Sequence, residues 1–342
     1  MVLVRIISRL CVLFSLLLAV SSCSKREAPE VVVYTALDQE FSEPIFAKFT
    51  ESTGVAVRSK FDSESTKTVG LAQAIMTERQ RPRCDLFWNN EILNTLRLER
   101  AGLLRPYNSP AAVDYPAKDR SPTGTWYGFA ARARVLIVNT NQVPEERRPK
   151  SINDLADSQW YERCGIAKPL FGTTATHAAC LFAVWGDDKA KEFFRDVKHN
   201  ARIMSGNKQV AEAVAGNSLA FGLTDTDDAM VEIEKGMPVA IVYPDQEADQ
   251  IGTLYIPNTL ALVKDSPHQK EAEKLLDFLL STDVERRLAD GPSAQIPLRS
   301  GVAASPRVKT PPEIHAMSVD WAAAAAKWDA TAEFLKNEFT AP

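Results

Sequence analysis

The 342-residue chain is 45% apolar, with 40 basic against 44 acidic residues and 15 glycines beside 20 prolines. That composition excludes a disordered or low-complexity chain and a strongly basic nucleic-acid binder, and the length suits two α/β lobes or one large domain. Five cysteines without a CxxC pair argue against a zinc ribbon, a thioredoxin-like site and a disulfide-dense scaffold.

Arg5 and Arg9 precede an apolar run from Leu10 to Val20, shorter than the about 20 apolar residues a membrane-spanning helix needs. Residues 1–22 therefore read as a secretory signal. Ser21 and Ser22 directly before Cys23 resemble a bacterial lipobox. Cleavage there would leave Cys23 as the lipid-bearing first residue, with 23–30 as a polar tether; the alternative is a plain signal peptide cut near Ser22. Either reading puts the protein in the periplasm or at the cell surface. In an oxidising compartment Cys164 and Cys180 could form a disulfide, whereas Cys84 lies on an apolar strand and is expected as a buried free thiol.

Further along the chain, Val31–Tyr34 is a strand pattern followed by a helical one that carries Pro44, Ile45, Phe46 and Phe49 and ends at Gly54. A strand over 55–61, a helix over 68–79, a strand over 85–88 and a helix stopped by Gly102 complete a parallel β/α rhythm. Phe129–Thr140 is extended, with Arg132 and Arg134 on one face of its alternation. A second α/β unit follows: a helix near 152–158, a strand at 165–167, a polar turn at 172–174, and a helix through 178–185. Next come a charged helix, a helix from 208 to 215, a strand at 219–223 and an acidic turn over 224–228. Segments 239–244 and 252–263 are extended, a helix spans 269–280, and an Ala-rich helix closes the chain over 321–339. Two α/β lobes joined by extended crossings are expected, with 31–130 plus 253–300 forming the first and 131–252 plus 301–342 the second.

Ligands of open α/β sheets bind beyond the carboxyl ends of the strands, which directs attention to the loops after them. Ser65, Thr66 and Lys67 sit between a strand and a helix, where helix-start amides and hydroxyls either hold an anion or merely cap the helix. Thr173 and Thr174 form a similar cradle, and Asn207 opens another helix. Asp225, Thr226, Asp227 and Asp228 crowd three carboxylates at a strand end. Repulsion there is offset either by the dipole of the following helix or by a bound cation or ammonium group. There is no GxSxG, HExxH or Walker loop, so no catalytic residue is assigned and an enzyme is not expected. His177 alone of the four histidines lies beside one of these loops, and a surface or helix-start position is expected for it.

Seven stretches in order, VVVYTALDQE from residue 31, FDSESTKTVGLAQAI from 61, CDLFWNNE from 84 with AGLL from 101, GFAARARVLIVNT from 128, PLFGTTATHAA from 169, AFGLTDTDD from 220 and IPNTLALVKDSPH from 256, resemble the extracellular solute-binding proteins of ABC importers. The likeness is closest to the ferric-ion-binding periplasmic type and covers residues 31–299. It implies a two-lobe periplasmic binding protein fold of type II, closing on its ligand by hinge motion. It also implies delivery of a small solute to a membrane permease and its ATPase, by a monomer anchored through lipid and without nucleic acid as a partner. The family's iron site departs here: Asp38 stands where a His is frequent, Asn90 with Glu91 next where a Glu is, and Asp227 and Asp228 replace the tyrosine pair. The resemblance thus implies Asp38, Asn90, Asp227 and Asp228 around a positive centre, with Asp38, Asp227 and Asp228 as the metal set. Ser65, Thr66, Thr173, Thr174 and Asn207 would hold an accompanying anion, and Arg132 would neutralise charge on closure. No resident cofactor is expected; iron(III) with a synergistic anion is the first cargo, and a phosphonate or amine-type solute is the rival. An exported metal-dependent hydrolase is the alternative from another class.

Overall fold

In the computed structural model, which describes residues 28–63 and 66–340, the first lobe grows from three parallel strands. β1 (Glu30–Thr35) lies between β2 (Ala56–Phe61) and β3 (Leu86–Asn89). Alternation along β1 sends Val31 and Val33 to one side of the sheet, against Ile45, Phe46 and Phe49 of α1 (Gln39–Thr53), and Tyr34 to the other. Helix α1 stops at Gly54, whose left-handed backbone (φ 72°) lets its N–H reach the Thr50 carbonyl at 2.8 Å. Helices α2 (Val69–Thr77) and α3 (Leu93–Arg100) follow β2 and β3, and the short β4 (Leu104–Arg105) pairs with a late strand.

Fourteen residues of β5 (Trp126–Asn139) carry the chain from one lobe to the other, buried throughout. Its first half pairs with β10 (Tyr255–Val263), which returns the chain to the first lobe beside β3. The second half pairs with β8 (Phe221–Asp225) and β9 (Val239–Val242), while β6 (Cys164–Ala167) lies between β8 and β7 (Arg202–Met204). The second lobe's helices are α4 (Gly172–Trp185), α5 (Asp187–Asn200), α6 (Asn207–Ala215) and α7 (Thr226–Glu234). After β10, α8 (Gln269–Leu279) and α9 (Thr282–Asp290) pack on the first lobe, and α10 (Trp321–Thr340) lies against α4 and α5. α10 also reaches α3, where the Arg97 guanidinium stacks 5.3 Å from the Trp328 ring.

The two-lobe α/β fold expected from the sequence is the observed one, with local differences. Residues 172–174 are the first turn of α4, not a turn before it, and the acidic segment runs directly from β8 into α7. The segment near 152–158 is a 3-10 turn over Ile152–Ala156, capped by Ser151. Helix α9 is additional; Ser281 caps it by accepting from the Val284 N–H. Cys164 and Cys180 are not bridged: both are free and buried, as is Cys84. His177 is not at the surface but buried in α4, and burial pushes its pKa well below the usual value, so it is neutral. Among the described residues no helix is long and apolar enough to cross a membrane. Cys23 and the signal segment lie outside the described residues.

Candidate functional site

Antiparallel pairing of β5 with β8 sets Arg134 opposite Asp225. Arg134 is fully buried, and its Nη1 donates to Asp225 Oδ1 at 2.7 Å. The other carboxylate oxygen, Oδ2, accepts from Thr173 Oγ1 at 2.5 Å and Asn207 Nδ2 at 3.0 Å. Arg134 also donates to the hydroxyls of Thr173 and Thr174, each at 3.2 Å, and Thr174 donates to Asn207 Oδ1 at 3.0 Å. Thr173 and Thr174 occupy the first turn of α4, and Asn207 is the first residue of α6. Two helix starts and two strands thereby meet around one carboxylate.

Two residues earlier on the same face of β5, Arg132 points into a small cavity between the lobes, with room for about one water-sized group. Leu37, Asp38, Lys67 and Asn90 line it from the first lobe; Thr173, Asn207, Asp225, Asp227 and Asp228 line it from the second. Lys67 Nζ pairs with Asp38 at 2.5 Å, and Arg132 Nε lies 3.3 Å from Asp227 Oδ2 while its Nη2 donates to Asn258 at 3.0 Å. One carboxylate oxygen from each of Asp225, Asp227 and Asp228 falls within 4.8 Å of the others. Four carboxylates therefore face three cations, leaving one acid uncompensated. The titration behaviour agrees: burial raises Asp227 to about 6, opposed by Arg132 and reinforced by Asp225 and Asp38. Burial and the neighbouring Asp227 push Asp228 well above the carboxylate range. Asp38 is also buried, but its ion pair with Lys67 outweighs that and keeps its pKa low. Asn90 Oδ1 is buried in the cavity wall without a hydrogen-bond partner, an orphaned acceptor that a ligand would satisfy.

Contacts across the cleft hold the lobes closed. The Gly172 N–H donates to the Lys67 carbonyl at 2.9 Å, a juncture where the glycine takes φ 59° as α4 begins. Thr176 Oγ1 donates to Glu91 at 2.8 Å, and Lys208 sits 3.5 Å from Glu40 at the rim.

Of the residues singled out from sequence, Asp38, Lys67, Asn90, Arg132, Thr173, Asn207, Asp225, Asp227 and Asp228 line one cavity. Glu91 does not: its carboxylate accepts from the N–H groups of Leu93 (2.5 Å) and Asn94 (2.9 Å), from Asn89, and from Thr176. It caps α3 and ties that helix across the cleft to α4, without lining the cavity. Thr66 is exposed and donates to Asp62, while the Thr226 hydroxyl accepts the Ala133 N–H; neither lines the cavity. Thr173 and Asn207 hold the chain's own Asp225, not an open cradle, and Thr174, bonded to Asn207 and Arg134, does not line the cavity. Ser65 lies outside the described residues. Arg134 and Asn258 are the residues sequence reasoning passed over. The spacing of Arg134 two residues after Arg132 was the available signal, since a strand places such a pair on one face. A larger open groove lies between α1 and α9, where Arg287 pairs with Asp283 and Glu40 with Lys208.

Comparison with known proteins places this geometry in context. The chain is 27% identical over 290 residues to the iron uptake protein A1 of a Synechocystis species, covering 81% of this chain and 78% of that one. The iron-bound HitA of Pseudomonas aeruginosa superimposes with a TM-score of 0.81 at 24% identity, over 90% of this chain and 99% of that one. AfuA of Actinobacillus pleuropneumoniae, solved with fructose-6-phosphate, gives 0.82 at 20% identity over 92% and 99%. Both solved structures share the two-lobe fold. Residues 93–327 match the family described as bacterial extracellular solute-binding protein, a family of solute capture and not of catalysis, and the chain belongs to it.

Proposed function

We propose that this protein is the capture component of an ABC importer, closing its lobes on a positively charged cargo and presenting it to a permease and ATPase, with iron(III) as the cargo. One observation carries the reading: Asp227, buried, and Asp228, half-buried beside it, line an interlobe cavity with more carboxylate than cation around them. Such a pair retains a proton unless a cation replaces it. Carboxylate oxygens suit a hard cation, and Asp38 and Asn90 Oδ1 supply further oxygens from the opposite lobe. Cys23 would carry the lipid that keeps the protein beside its permease.

Elemental analysis and native mass spectrometry of the untagged protein, before and after loading with iron(III) citrate, test this directly. One iron per chain in the wild type, lost in Asp228→Asn, is the expected result. A retained organic mass with no metal would overturn it in favour of a second reading. That reading has its own support: Lys67 and Arg132 stand beside the acidic pair, so an aminophosphonate could put its ammonium on Asp228 and its anion on these cations.

A further inference from the structure

The wall contributed by the second lobe has the makings of an anion site: the first turn of α4 with Thr173 and Thr174, the first residue of α6, and a fixed guanidinium from Arg134. An anion is already there. Asp225 extends from the end of β8 into this cradle, and both of its oxygens are engaged, Oδ1 by Arg134 and Oδ2 by Thr173 and Asn207. The Asn207 side chain is correspondingly occupied: its amide donates to Asp225 and to Thr173 Oγ1 at 2.8 Å, and its oxygen accepts from Arg134 and Thr174.

We infer that Asp225 is a built-in anion, held by Arg134, Thr173 and Asn207, which makes cargo capture independent of a free anion from solution and keeps anionic groups off this wall. A second anion arriving there would meet a buried like charge, with the hydroxyls, the amide and both Nη groups of Arg134 already engaged and only Arg134 Nε, among the buried side-chain donors described, without a partner. The chain thus meets internally a charge requirement that an open cradle would meet with a small oxyanion. Any anionic part of a cargo would be directed to the opposite wall, towards Lys67. The consequence for capture rests on the cargo reading above; the occupancy of the cradle does not.

The test is chemical rescue read on cargo-free protein. The thermal midpoint of the wild type should stay fixed as acetate or inorganic phosphate is added. In Asp225→Ala, where the carboxylate is removed and Arg134 is left uncompensated, acetate should raise the midpoint by about 3 °C or more. The double variant Asp225→Ala/Arg134→Met should lose that response. Should Asp225→Ala not fold, Asp225→Ser keeps a hydroxyl acceptor for Arg134 and reads the same rescue. A wild type that responds to acetate as strongly as the variant overturns the inference, as does a variant that ignores acetate. A second arm uses iron(III) citrate: wild-type affinity should not change between phosphate-free and phosphate-containing buffer, whereas that of Asp225→Ala should fall at least tenfold and recover with acetate. Affinity lost in Asp225→Ala and restored by no anion would make Asp225 a direct ligand and overturn the inference. Absence of iron binding in the wild type would instead sink the cargo reading and leave the rescue arm standing.

Discussion

Arg132 and Arg134 stand two residues apart on one face of β5, yet the layers they organise are opposites. Around Arg134, one carboxylate, two hydroxyls and one amide close a ring of hydrogen bonds with each charge matched. Around Arg132, the facing Asp227 is 3.3 Å away, Asp228 adds a second carboxylate, and Asn90 Oδ1 has no partner. The first layer is balanced in charge without a ligand, with only Arg134 Nε unpartnered among its buried side-chain atoms; the second lacks a positive charge and a donor. A buried polar network contributes order when every member is satisfied, and it marks a place for something else when it is not.

The comparison breaks most visibly at Arg134. Arg134→Met leaves Asp225 buried without its cation, so the cargo-free protein should lose about 3–5 kcal/mol of stability, measured by urea denaturation at neutral pH. A loss below about 1 kcal/mol would mean that the ring is not the tight unit described. The opposite sign is expected at the acidic pair. Asp228→Asn removes a carboxyl group whose charged form is disfavoured by burial and by the neighbouring Asp227, so cargo-free stability should hold or rise by about 1 kcal/mol while cargo binding falls at least a hundredfold.

Titration sharpens the same contrast. The folded-state pKa of Asp227, about 6, lies above its unfolded value near 3.8, so the folded protein binds that proton more tightly. The resulting stabilisation is fully present below pH of about 4 and is lost as pH rises through about 6. Burial also lifts Glu285 to about 7, and its contribution is lost as pH rises through that value. Cargo-free protein should therefore be more stable at pH 5 than at pH 8, by about 4 kcal/mol. Asp227→Asn/Asp228→Asn and Glu285→Gln should each remove part of the slope. Cation capture must displace the retained proton, so affinity should rise between pH 5 and 7. A flat affinity profile would show that the acidic pair enters binding already ionised.

The fold was legible because strand and helix alternate with clear stops, Gly54 and Gly102 among them, and because the apolar period changes from two to about 3.6 at each transition. Helix α9 was missed since Thr282–Asp290 carries five charged residues in nine, a pattern in which buried Val284 and Leu288 give a weak stripe. Loop position alone brought most of the site together, since each loop follows a strand and the strand ends converge. It failed at Glu91, because a residue after a strand can turn back to cap the next helix, and sequence does not record which way the carboxylate faces. It failed at Asp225 for a related reason. Three acids in four residues look alike until pairing with β5 gives the first of them an arginine and withholds a full partner from the last.

Links across the cleft offer a finer contrast between buried and exposed ties. Thr176→Val takes one donor from the buried Glu91 carboxylate, which retains its three other partners on α3 and Asn89. A stability loss of about 1 kcal/mol should follow, with cargo affinity reduced because the closed form loses a tie. The ion pair of Lys208 with Glu40 closes the rim at 3.5 Å, but both side chains are about half exposed, so solvent and salt screen it. Lys208→Ala should change stability by less than about 0.5 kcal/mol and cargo affinity by no more than about threefold. That difference should vanish above about 0.5 M salt, where the Debye length is only a few ångströms. A larger, salt-resistant loss in affinity would place Lys208 on the cargo itself, and the rim would then belong to the binding layer that Arg132 begins.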